Sequence, residues 1–239
     1  QRKSRFVNEF KKRDLKFIIL MIALDIIAPI LLMIGLTTTN ASTASLLNNF
    51  EIVFTGIIAM IFFKEIVGRK MWVAISLIVL AGALLTFEDF TGFHISIGAL
   101  FVLGASLSWG LENNCTRMLS KGNPLHVVVI KGLGSGLGSL IIALVVNQAS
   151  VVWYFVILAL LLGFVSYGMS LYFYISAQRQ LGAARTSAFY AIAPFVGSIF
   201  SFIVLKDSLS IVFGIAFILM IFGTYLAIKE NNSHQNNST

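Results

Sequence analysis

Eight stretches of about twenty mostly apolar residues, near 16–36, 41–63, 71–87, 96–117, 124–147, 151–176, 184–205 and 208–228, constrain this chain more than any motif in it. A helix needs about 20 apolar residues to cross a hydrocarbon core of about 30 Å. Within that core only a helix or a closed barrel satisfies every backbone polar group, so runs of this length read as helices. With 58% hydrophobic and 11% charged residues, the composition is too apolar for an ordinary soluble domain. The expectation is an all-α integral membrane protein of about eight transmembrane helices, with connections too short to hold a soluble domain.

Charge placement orients it. If the basic opening QRKSRFVNEFKKRDLK lies in the cytoplasm, every Lys and Arg except Lys131 and Lys206 falls on that side, while the opposite loop 88–94 carries Glu88, Asp89 and His94. Such asymmetry in short loops sets topology, and it predicts a multi-pass protein of the cytoplasmic (inner) membrane with both termini cytoplasmic. The net charge of +7 is thereby a matter of orientation, and no nucleic-acid partner is implied. The opening is too polar, and lacks the cleavage site, for a signal peptide. One cysteine, Cys115, allows no disulfide framework. Residues 229–239, ending in NNSHQNNST, read as a disordered cytoplasmic tail.

An internal repeat adds more. NASTASLLNNFEIVFTGIIAMIFFKE (40–65) and AARTSAFYAIAPFVGSIFSFIVLKD (183–207) match at an offset of 143, pairing Ala41 with Ala184, Thr43 with Thr186 and Thr55 with Ser198. These are the second and seventh spans. An odd number of crossings separates them, so the two copies run in opposite directions, the inverted-topology construction of many secondary transporters. The seventh span is also the fourth of a five-helix unit, so the second span should be the fourth of a matching one. The expectation is therefore a ten-helix, 5+5 arrangement lacking its first two helices here: residues 1–87 as the last three helices of a first repeat, and 96–228 as a complete second repeat.

The stretch GAARTSAFYAIAPFVGSIFSFIVLKDSLSIVFGIAFILMIFGTYL (182–226), with its small-residue turn, mid-helix proline, terminal acid and Gly-bearing helix, resembles the EamA-type members of the drug/metabolite transporter superfamily. FFKE (62–65) and VLAGALL (79–85) carry the resemblance in the first copy. It implies an exporter of small metabolites or drugs. One departure matters: where the second copy has Pro194, the first has Glu51.

An ionised side chain at a helix centre costs about 2.5–3.5 kcal/mol on insertion scales, so intramembrane charges are functional candidates by default. Glu51 and Asn48 share a helix face beside Asn49, and Glu112 lies beside Asn113, making ENN a rough partner to NNFE. As a site these groups would bind a polar substrate or a coupling proton; structurally they would bond neighbouring helices. Asp25 stands four residues before Pro29, which offers no N–H to the Asp25 carbonyl, and Pro194 likewise frees the carbonyl of Tyr190. Pro29 and Pro194 are the expected kinks, and Tyr167 and Tyr172 are weaker cavity candidates. Lys131 is expected to snorkel to the headgroups, with an ion pair to Glu112 or Glu51 as the other option. Gly132, Gly134, Gly136 and Gly138 form two small-xxx-small pairs for close packing.

A secondary transporter fits best, coupled to protons through buried carboxylates, with a small-molecule substrate and the lipid bilayer as partners and a homodimer left open. A passive channel or structural membrane protein is the alternative. An intramembrane enzyme would need a catalytic or metal-ligand constellation, yet His94 and His126 sit at span ends and no ligand spacing appears, so neither metal nor cofactor is expected.

Overall fold

The computed structural model describes residues 14–63, 69–89, 94–119, 123–146, 152–181, 193–206 and 210–236. Its helices are α1 (Leu15–Leu36), α2 (Ala41–Leu47), α3 (Phe50–Phe63), α4 (Arg69–Thr86), α5 (Ile97–Leu119), α6 (Pro124–Val145), α7 (Trp153–Leu162), α8 (Ser170–Leu181), α9 (Ala193–Phe200) and α10 (Ile211–Asn236). Two pairs make single spans: α2 runs into α3, and α7 passes through a π-helical stretch at Gly163–Met169 into α8. A second π-helical stretch, Ser201–Leu205, extends α9. The described residues therefore hold eight helical spans, the all-α membrane architecture expected. Four are both long and apolar enough to cross a membrane by length and composition: Leu15–Leu36, Ala41–Phe62, Pro124–Val145 and Trp153–Ser176. The 23-residue α5 has the length too, but it is loaded with polar side chains that face inward.

Departures are local. The loop after α4 forms a short hairpin, Phe87–Asp89 against His94–Ile95. The last helix runs to Asn236, past the end of the eighth apolar run at 228. Extending an existing helix fixes one residue per hydrogen bond gained, so α10 propagates beyond its apolar portion. Helix α1 continues through Pro29 to Leu36. Pro194 is the second residue of α9 as described.

Two apolar clusters hold the bundle. The larger joins Leu46, Leu47, Phe50, Ile78, Val102 and Met220 from α2, α3, α4, α5 and α10, and the smaller joins Met21, Cys115, Leu119, Val127 and Ile175. Edge-on aromatic pairs, Phe202–Phe213 at 4.8 Å and Phe195–Phe217 at 5.5 Å, knit the seventh span to α10. The helices matched by the sequence repeat touch: α2 packs on α9, where Ser198 donates to the Ser42 carbonyl at 3.1 Å, and α4 packs on α10.

Helix α1 lies along α5, and their crossing is closed by Gly35 and Gly98. A Cβ on Gly98 would come within 2.8 Å of the Gly35 carbonyl oxygen. Of the four glycines in α6, Gly134 and Gly138 face Ile22 and Ile26 of α1, while Gly132 and Gly136 face open space. One small-xxx-small pair is thus a packing seam. Large apolar residues such as Ile19, Leu137, Leu158 and Phe222 point outward, and no residue of α7 is buried. In a bilayer, lipid tails as apolar as leucine cover such a surface.

Candidate functional site

The second span breaks at Asn48–Asn49. Asn49 N–H bonds the Leu46 carbonyl, Glu51 N–H the Asn48 carbonyl and Ile52 N–H the Asn49 carbonyl, all three residues back, so the α-helical ladder is interrupted and then restarted as α3. Asn side chains compete with helical hydrogen bonding, and Asn49 does so here by donating to the Leu46 carbonyl at 3.1 Å. Glu51 thereby sits in the first turn of a new helix in mid-span. There the positive end of the α3 dipole favours a carboxylate. The opposing face of α5 supports the break, with the Ser106 hydroxyl 3.3 Å from the Leu47 carbonyl.

Beside this break the helices border a partly open cavity of about 390 Å³. Its polar wall comes from several elements. Asp25 is carried by α1, Asn48 and Asn49 by the break, Glu51 by α3, Glu112 and Asn113 by α5, Lys131 by α6, and Ser166 and Tyr167 by the first π-helical stretch. Asn113 donates to Glu51 Oε1 at 2.6 Å, so the ENN and NNFE stretches meet.

The charged centre lies on three helices. Lys131 Nζ is 3.1 Å from Glu112 Oε1 and 3.3 Å from Asp25 Oδ1, and all three residues are nearly inaccessible to solvent. The remaining bonds complete it: Tyr167 donates to Asp25, Thr116 donates to Glu112, and the Lys131 ammonium stands 5.5 Å from the Tyr167 ring centroid. Snorkelling by Lys131 is therefore corrected. Its ammonium meets two carboxylates inside the bundle before it could reach headgroups, and burying all three charges together offsets a desolvation cost that none could bear alone.

The site residues expected from sequence divide accordingly. Asp25, Asn48, Asn49, Glu51, Glu112, Asn113 and Tyr167 border the cavity. Tyr172 is corrected: it is exposed on the outer face, edge-on to Phe173 at 5.8 Å, because five residues past Tyr167 its helix has turned it away. Tyr190 lies outside the described residues.

Trp109, Ser166, Ser170 and Tyr174 also line the cavity without having been singled out. The four-residue spacing of Ser166, Ser170 and Tyr174, and of Trp109 three before Glu112, was a signal available in the sequence. Tyr167 joins them because it falls in the wider π-helical turn, and such turns recur at functional sites.

The model of the EamA-like transporter family matches this chain twice, over residues 3–87 and 96–229. The chain belongs to the EamA-like transporter family. An uncharacterized transporter of Methanothermobacter thermautotrophicus is 30% identical to it over 234 residues, covering 94% of this chain and 68% of that relative. Family membership and the helical architecture together make this a membrane-embedded, multi-pass transporter. Among the described residues no three His, Cys, Asp or Glu side chains converge as a metal-holding group.

Proposed function

We propose that this family member is a secondary transporter that exports small polar metabolites or drugs across the cytoplasmic membrane, with both termini in the cytoplasm and with protons carried on its buried carboxylates. The observation behind this reading is the interrupted second span, which places Glu51 and two asparagines on a mid-bundle cavity facing the Asp25–Lys131–Glu112 cluster. Discontinuous helices at the interface of two repeats are where transporters hold substrate and coupling ions, because irregular backbone at that depth is tolerated only where it lines a cavity.

Glu51 is the proposed coupling group. It faces the cavity and has a neutral amide partner in Asn113, which can orient the carboxylate in either protonation state by donating to it. Asp25 and Glu112 are instead committed to Lys131. Rocking of the two repeats about this centre would expose Glu51 first to one side and then to the other.

The test uses the protein in sealed vesicles loaded with a pH-sensitive dye and challenged with a panel of amines, amino acids and neutral metabolites under an imposed proton gradient. Cargo-dependent proton movement in wild type, lost in Glu51→Gln, is expected. Cargo flux in Glu51→Gln equal to wild type at every pH would remove Glu51 from the mechanism, and flux indifferent to the gradient would indicate a passive channel.

A further inference from the structure

The cavity wall is unbalanced in charge. It carries three carboxylates, Asp25, Glu51 and Glu112, and among the described residues Lys131 is the only cation on it. Charges held away from water need partners. Lys131 answers one carboxylate and a coupling proton on Glu51 answers a second, which leaves the wall short of one positive charge. What the wall lacks is a cation.

We propose that the cavity takes a small organic ammonium ion whose charged group shares the Asp25–Glu112 pair with Lys131, making Lys131 a tethered competitor for the cargo site. The inference rests on the transport reading above and narrows its cargo class. Lys131 itself marks the place, since its ammonium already sits between two carboxylates and over the face of Tyr167, the surroundings that cations find favourable. Ile52, Trp109, Leu171 and Tyr174 supply an apolar wall for the organic body. With cargo bound, Lys131 keeps one carboxylate and the ammonium takes the other. With the site empty, Lys131 spans both and no carboxylate is left bare. An anionic cargo would meet three carboxylates and be rejected.

Trp109 on the cavity wall provides the readout. In a Trp72→Phe/Trp153→Phe background, whose altered residues lie on the outer surface, the full chain in detergent is titrated with n-butylammonium and, separately, with n-butanol. Saturable change in Trp109 fluorescence with butylammonium and none with butanol is expected. Asp25→Asn and Glu112→Gln each weaken binding by about tenfold, the scale of one charged hydrogen bond, and Lys131→Met strengthens it by a similar factor. Lys131→Met can unfold the protein by baring two carboxylates. The paired variant Lys131→Met/Glu112→Gln, which leaves Asp25 as the one carboxylate of the pair, is therefore titrated too and is expected to bind butylammonium at least as tightly as Glu112→Gln. Equal responses to butanol and butylammonium overturn the proposal. So does the lack of a saturable response in both wild type and the paired variant, which would leave protons as the cluster's only cationic ligand. Titration needs neither a bilayer nor a gradient, so a negative result leaves proton-driven flux standing, whereas binding without flux counts against the transport reading instead.

Discussion

Asn113 of α5 donates to Glu51 Oε1 of α3 at 2.6 Å, joining the helix that breaks in mid-span to the helix that contributes Glu112 to the buried charge cluster. One amide thus connects the proposed coupling carboxylate to the rest of the site. Asn113→Ala should weaken cargo-driven proton movement in vesicles by about tenfold, since a hydrogen bond to a charged group contributes about 1.5–3 kcal/mol. Combined with Glu51→Gln it should be strongly non-additive, because Glu51→Gln already removes the proton site that Asn113 orients. Additive losses would place Asn113 outside the Glu51 pathway.

Lys131 is bonded to two carboxylates at 3.1 and 3.3 Å, so its replacement by Met strands charge inside the bundle. Breaking a buried pair from one side costs about 3–5 kcal/mol, whereas removing both sides is often neutral. Thermal unfolding in detergent should therefore show a large loss for Lys131→Met and recovery of most of it in Lys131→Met/Glu112→Gln. A single variant as stable as wild type would mean that water reaches the cluster.

Two tyrosines five residues apart should behave oppositely. Tyr167 bonds Asp25 and borders the cavity, while Tyr172 is exposed on the outer face. Tyr167→Phe is expected to lower flux by about tenfold with little change in expression, and Tyr172→Phe to leave flux unchanged. Parallel effects would show that the π-helical register over Gly163–Met169 is not the one that positions Tyr167.

The glycines of α6 permit a packing test. Gly134 faces Ile22, whereas Gly136 meets nothing within 4 Å. Gly134→Leu should destabilise the α1–α6 seam by about 1–3 kcal/mol, the usual cost of overpacking, and Gly136→Leu should be silent in the same thermal assay.

The number and approximate limits of the spans were readable from the sequence because a bilayer imposes both a length and a helical solution on any apolar run of about twenty residues. The expected repeat rests on residue types in register, Thr55 with Ser198 among them. Asp25, Glu51 and Glu112 stood out for a related reason: a carboxylate in an apolar run is costly wherever it points. Partnership was another matter. Whether Lys131 snorkelled to water or met Asp25 and Glu112 depended on how α1, α5 and α6 cross, and that follows from contacts between residues far apart in sequence, such as Gly35 with Gly98 and Gly134 with Ile22. Tyr167 was separated from Tyr172 by a π-helical turn whose extra residue per turn leaves no mark in hydropathy. The membrane, acting residue by residue on polarity, let the sequence alone determine the class of fold and the candidate charges. Only tertiary packing decided which charges paired, because pairing is a matter of distance between helices that the order of residues along any one of them does not contain.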